Sequence, residues 1–162
     1  MIRPAPPDAP AHRHPLRVYF EDTDAGGMAY HATYLRWAER GRTEALRALD
    51  MPHQRMIERH NSILVVRRIE VEYALPARLD DLVTVETRVL AVRGVTMRLD
   101  QRMLRDRDAG GSETLAVLGV ELACVDKDTL RPKRIPEPWR SALSVPAAGG
   151  DAGAAARADE GG

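Results

Sequence analysis

Cys124 is the only cysteine in the 162 residues. One thiol excludes an intramolecular disulfide framework and any zinc or iron–sulfur site built on several cysteines. Its setting, the apolar run LAVLGVELACV, suits a buried, inert thiol. Lysine is nearly missing too: Lys127 and Lys133 are the only two, so almost all of the 24 cationic residues are arginine. Neither sign of charge is in excess, since 24 acidic residues balance them. A balanced chain gives no electrostatic reason to expect a nucleic-acid or anionic-membrane partner. Arginine forks do suit phosphate and carboxylate, which leaves room for a phosphate-bearing small ligand, although a base-composition bias in the gene would produce the same excess. No apolar stretch is long enough to span a bilayer, so stable membrane insertion is not expected. The N-terminal MIRPAPPDAPAHRHP has no apolar core of the kind a signal peptide carries, and a cytoplasmic location is the expectation.

Both ends read as tails. Four prolines fall in the first ten residues, and 146–162 is alanine, glycine and charge. Neither segment offers side chains for a core, so the expected domain covers 15–140, between disordered tails at 1–14 and 141–162. His12 and His14 form an HxH in the first tail, where a solvated histidine pair is a simpler reading than adventitious metal binding. No internal repeat is evident. The length fits one domain with one hydrophobic core.

The hydrophobic period organises the middle of the chain. Residues 16–21 (LRVYFE) read as a short strand ending in the turn-forming Asp22-Thr23-Asp24-Ala25-Gly26-Gly27. Tyr34, Leu35, Ala38, Gly41, Ala45, Leu46 and Leu49 share one helical stripe, predicting a helix over 34–49. Gly41 in mid-stripe costs about 1 kcal/mol of helix propensity against alanine, so close approach of another element is expected there. Pro52 ends the helix, and 51–60 is a connector with at most a helical turn. Beyond Asn61 the period becomes two. Strands are expected around 63–73, 83–91, 95–105 and 114–125, separated by Pro76, Arg93-Gly94 and Asp108-Ala-Gly-Gly111. The last is apolar on both faces, as an interior strand is. The result is an α+β layering, β-α-β-β-β-β, with one long helix on a five-stranded antiparallel sheet. One helix cannot cover so long a sheet, so a homodimer is expected, with further assembly into a tetramer.

The segment YFEDTDAGGMAYHATY carries the chemistry. Three acids stand within four positions, followed by two glycines and a helix start. Glycines allow a sharp turn, and the first turn of a helix offers unpaired N–H groups with partial positive charge. A carboxylate set against those donors supplies a base and an oxyanion hole around one carbonyl. No serine or cysteine nucleophile competes, and GxSxG is absent. Thioester hydrolysis suits so spare a site: a thiolate leaves with a pKa of about 8.5, so no strong general acid is needed.

With these residues in view, EDTDAGGMAYHATYLRWAERGRTEALR closely resembles the acyl-CoA thioesterases of the hotdog superfamily, in the 4-hydroxybenzoyl-CoA thioesterase and Tol–Pal-associated branch. SILVVRRIEVEYALPARLDDLVTVETRV continues the likeness through its VVR and PARLDD elements, and together they span roughly residues 15–135. The resemblance implies that Asp24 is the catalytic carboxylate, acting as nucleophile or as general base. It implies that His31 sits where a backbone N–H polarises the thioester carbonyl, with help from the imidazole. Gly26, Gly27 and Tyr30 shape the substrate side of the turn, and no cofactor or metal is called for. The branch usually has a tyrosine four residues before the aspartate, where this chain has Phe20; Tyr19 beside it should face the other side of a strand.

Other roles stay open at this point. Asp22 and Glu21 read as turn formers rather than site acids. Ser62 either lines an acyl pocket or caps a strand start. Arg67, interrupting its strand's alternation, either meets CoA phosphates near a dimer seam or marks a β-bulge that turns it outward. Trp37 and Tyr34 read as core or interface, and His53 and His60 as surface. Alternatives to acyl-CoA hydrolysis are action on an acyl carrier protein thioester or an aromatic acyl-CoA, and a non-catalytic subunit that binds acyl-CoA or a phospholipid-synthesis partner.

Overall fold

The computed structural model describes residues 10–107 and 110–143; the remainder of the expected tails and part of the Asp108–Gly111 turn lie outside them. Strand β1 (His12–Arg17) leads through a 3-10 turn at Phe20–Asp22 to helix α1 (Thr33–Ala48) and a shorter helix α2 (His53–His60). Four strands follow, β2 (Ser62–Tyr73), β3 (Leu82–Arg93), β4 (Thr96–Asp106) and β5 (Ser112–Asp126), and then helix α3 (Glu137–Leu143). All pair antiparallel in the order β1-β3-β4-β5-β2. The α+β layering and the interior position of β5 are as expected, and β1 and β2 form the two edges.

Three expectations need correction. The first strand lies at His12–Arg17 and not at 16–21, because its partner β3 begins at Leu82, opposite Arg17. Beyond that point there is no strand to pair with, and Asp22 folds the chain over into the 3-10 turn by accepting the Tyr19 N–H at 2.9 Å. Tyr19 and Phe20 are therefore loop residues, both exposed, and the idea that they point to opposite faces of a strand falls. His12 and His14 are in the sheet, opposite Thr87 and Val85, and the ordered elements run past the 15–140 limits at both ends. Helices α2 and α3 add to the single helix expected. Among the described residues no cluster of metal-binding side chains occurs, and no helix is long and apolar enough to cross a membrane.

Helix α1 lies across the sheet because its stripe matches an apolar face. Tyr34, Trp37, Ala38 and Leu46 are buried against Val83, Val85, Leu99, Met103 and Leu118. Gly41 meets β3 where a side chain would not fit: a Cβ there would stand 2.5 Å from Cγ1 of Val85. Leu35 and Leu49, read as part of the stripe, are at its margins and exposed, while Trp37 is fully buried. One polar group joins the layers. Gln101 of β4 donates to the Ala38 carbonyl at 2.9 Å and to Thr87 Oγ1 at 2.8 Å, and accepts from Arg42 at 2.9 Å. A buried amide satisfied in this way pins the helix at a defined height over the sheet.

Candidate active site

Asp22, Asp24 and Glu21 stand close in sequence but do different things. Asp22 is buried; its carboxylate caps the 3-10 turn, and its carbonyl accepts the Tyr30 N–H at 2.8 Å and the Thr33 hydroxyl at 3.4 Å. It is a structural acid that ties the loop to the start of α1. Glu21 is exposed. Asp24 is also exposed, at the head of a tight loop. Its N–H donates to the Met28 carbonyl at 2.8 Å, its carbonyl accepts from Gly27 at 3.0 Å, and Oδ1 accepts the Gly26 N–H at 2.8 Å. One carboxylate oxygen thus orients the side chain, while Oδ2 has no partner among the described residues. The glycines have separate reasons. Gly27 has φ of 70°, a left-handed conformation that disfavours side chains. At Gly26 a Cβ would lie 3.1 Å from Oδ1 of Asp24, crowding the carboxylate.

A second loop carries the first. The Ala29 N–H donates to the Ala77 carbonyl at 2.9 Å, and Met28 bridges to Arg78. The Ala77 N–H in turn donates to the Tyr34 hydroxyl at 2.9 Å, and burial pushes that phenol up against the opposing pull of this hydrogen bond. Arg105 holds the loop from below, donating to Asp81 Oδ2 at 2.5 Å and to the Pro76 carbonyl at 3.4 Å while pairing with Glu113. Those two carboxylates raise the Arg105 pKa further, and Arg105 and Arg107 hold Glu113 below the usual carboxylate range. PARLDD is therefore the support of the Asp24 loop, a role its residues alone did not declare.

His31 sits just before α1 with its ring exposed, 4.3 Å from the Tyr30 ring between centroids. Its main-chain N–H and that of Ala32 have no acceptor among the described residues, as the first turn of a helix leaves them. Two phenols that the sequence did not single out as site residues gather here. Tyr34 anchors Ala77, and Tyr73, at the end of β2, donates from its hydroxyl to the His31 carbonyl at 2.8 Å. Only the side-chain environment reveals this, because the end of β2 and the start of α1 are far apart in sequence.

Ser62 and Arg67 are not brought to Asp24 within this chain. Ser62 is fully buried at the far end of β2, its hydroxyl donating to the His60 carbonyl at 2.9 Å. Eleven residues of strand, about 36 Å, separate it from Tyr73. Arg67 lies in a register break between Val66 and Arg68, is exposed, and pairs with Glu121 at 2.7 Å, so a bulge does turn it outward. An apolar cavity of about 140 Å³ lies under the second half of α1, lined by Leu46, Leu64, Met97, Leu99, Leu122 and Leu143 among others. It is at the opposite end of the helix from the Asp24 loop, and burial lowers the pKa of His53 at its rim.

The thioesterase-like superfamily model matches residues 18–143, from the foot of the loop to the end of α3. The chain belongs to the thioesterase-like superfamily. It is 41% identical over 129 residues to the acyl-CoA thioesterase YbgC of Haemophilus influenzae, covering 80% of this chain and 91% of that one. The acyl-CoA thioester hydrolase YbgC of Escherichia coli is 38% identical over 125 residues, 77% of this chain and 90% of its own. In three dimensions a mutant of 4-hydroxybenzoyl CoA thioesterase, solved with 4-hydroxybenzoyl CoA, superposes with a TM-score of 0.78. At 16% identity, covering 83% of this chain and 99% of that one, it speaks to the fold alone, which is the hotdog fold. Its likeness to the YbgC relatives makes this superfamily member a thioester hydrolase.

Proposed function

We propose that the protein hydrolyses acyl-CoA thioesters to the free acid and CoA, with Asp24 as the catalytic carboxylate. The observation that carries this is Oδ2 of Asp24, without a partner among the described residues, held on a loop whose far end is the start of α1 with two amides that likewise have no acceptor among them. The YbgC relatives, named as acyl-CoA thioesterases, support the substrate class. Oδ2 either attacks the thioester carbon or takes a proton from an attacking water. In the first case a C–O bond forms, the C–S bond breaks, and the electron pair leaves on the CoA thiolate. Water then cleaves the mixed anhydride. In both cases negative charge builds on the carbonyl oxygen, where the His31 and Ala32 N–H groups and the helix dipole stabilise it. The imidazole of His31 lies beside these donors. Phe20 contributes no hydroxyl, which favours a slower enzyme or, as a second reading, a subunit that binds acyl-CoA without cleaving it.

The protein acts, in this reading, as a homodimer joined along β2. This edge strand has an open side, and two copies paired antiparallel about a two-fold axis would bring the Ser62 end of one strand toward the Tyr73 end of the other. Ser62 and Arg67 would then serve the partner's site rather than their own, and tetramers would form from such dimers.

Release of CoA, followed with a thiol-trapping reagent over acyl-CoAs from acetyl to palmitoyl, aromatic thioesters and an acyl carrier protein thioester, tests the proposal. Asp24→Asn should lower turnover by about a thousandfold or more without loss of fold. His31→Ala should lose part of the activity, and unchanged kinetics would confine its role to the backbone. Near-normal turnover in Asp24→Asn sinks the assignment. A wild-type protein that binds acyl-CoA and cleaves nothing favours the binding subunit.

A further inference from the structure

Tyr73 closes β2 at the point where that strand meets the start of α1. Its ring packs edge-on against Tyr34, 5.2 Å between centroids and 83° between planes. Tyr34 is itself buried and fixed by the Ala77 N–H, so Tyr73 leans on a rigid neighbour. From that seat its hydroxyl reaches the His31 carbonyl at 2.8 Å. Burial, with Tyr34 alongside, pushes the Tyr73 phenol up, so it remains a hydrogen-bond donor at neutral pH.

The two peptide groups flanking His31 are held differently. The one before it is fixed inside the loop, because its Tyr30 carbonyl accepts the Thr33 N–H at 2.8 Å, and the next peptide back is held as well, its Tyr30 N–H donating to the Asp22 carbonyl at 2.8 Å. The one after it carries the His31 carbonyl and the Ala32 N–H. Among the described residues, Tyr73 is the partner of that carbonyl. A peptide is planar, so a bond to its oxygen sets the direction of its N–H. It also polarises the group, making the N–H a stronger donor.

We propose that Tyr73 is a positioning residue for thioester hydrolysis: its hydroxyl fixes and polarises the His31–Ala32 peptide, aiming an oxyanion donor without touching substrate. The inference rests on the Asp24 reading of the site. Tyr73→Phe removes the hydroxyl and keeps the ring on Tyr34. The measurement is kcat and KM on the acyl-CoA that the wild-type protein cleaves fastest, with the thermal midpoint taken in parallel. An oxyanion donor removed outright costs about a hundredfold or more, so loss of its orienting partner should lower kcat by about 5- to 20-fold. KM should stay within about twofold, because the bond matters where charge develops. Tyr73→Leu, which also removes the ring, should lose at least as much kcat and lower the midpoint. Wild-type kcat in Tyr73→Phe, or a loss that only follows the folded fraction or appears in KM, overturns the proposal. Asp24→Asn in the same assay separates the two ideas. If it is inactive while Tyr73→Phe is normal, only the role of Tyr73 fails; if it turns over normally, the site reading fails first.

Discussion

At Gly41 a single missing side chain sets how closely α1 approaches β3. Alanine would recover about 1 kcal/mol of helix propensity. Against that, its Cβ would stand 2.5 Å from Cγ1 and 3.2 Å from Cβ of Val85, a branched side chain in a strand and not a flexible tip. Overpacking of this kind costs about 1–3 kcal/mol, so the steric term wins. Gly41→Ala should therefore lower stability in urea unfolding by up to about 2 kcal/mol, and Val85→Ala combined with it should cost less than the two single changes added together. Strict additivity would mean the contact is not what constrains the helix. Gly41 was readable as a point of close approach because a glycine in an apolar stripe weakens the helix unless it admits a neighbouring element. Tyr73 was not, because an exposed tyrosine at a strand end looks the same whether or not its hydroxyl finds a backbone.

Elements were legible wherever one period ran long enough. Helix α1 keeps its 3.6 period over its whole length, strands β2 to β4 alternate over most of theirs, and β5 stood out as a run apolar on both faces, as an interior strand does. Strand β1 was displaced because its end depends on where β3 begins, a fact that residues 12–22 do not contain. Helix α2, eight residues between Pro52 and Asn61, is too short for the pattern to separate it from a connector. The turn after β5 shows local electrostatics at the same scale. Asp126 accepts from the N–H groups of Asp128 and Thr129, each at 3.1 Å, and from the Lys133 ammonium at 3.4 Å. The Thr129 and Asp128 amides, with Lys133 adding to them, hold its carboxyl at about 2, below the ordinary 3.8. A depressed acid stabilises the fold above its unfolded pKa and loses that contribution as pH falls through the folded one. Stability should thus decline between about pH 4 and pH 2, together with the contribution of Glu113, whose pKa is lowered by its arginines. Asp126→Asn keeps an acceptor and loses the titration, so its unfolding midpoint should fall less steeply over that interval. Equal slopes for the two proteins would remove Asp126 from the acid response.

For the whole molecule, the site is surrounded by apolar surface that a single chain leaves uncovered. Phe20 is 81% exposed, and Met28, Tyr30, Leu35, Tyr73 and Leu75 are exposed around the Asp24 loop and the end of β2. Val66, 50% exposed, lies halfway along the open edge. Apolar residues scattered singly over a surface are ordinary, but a group of this size beside an unpaired strand is what the proposed pairing would cover. The two-fold pairing proposed along β2 would cover that edge and bring the distant Ser62 toward a second site. Val66→Asp near the middle of β2 places like charges close together across such an axis, and Leu75→Asp sets a second charge against the Ser62 end of the other copy, where burial of unpaired carboxylates is strongly unfavourable. Light scattering should then report a monomer in place of a larger species. Turnover should fall with assembly even though Asp24, His31 and Tyr73 are untouched, and circular dichroism should stay that of the folded chain. A variant that remains fully assembled and active would place the interface elsewhere and leave β2 a true edge; a monomer with full activity would show that each chain completes its site alone.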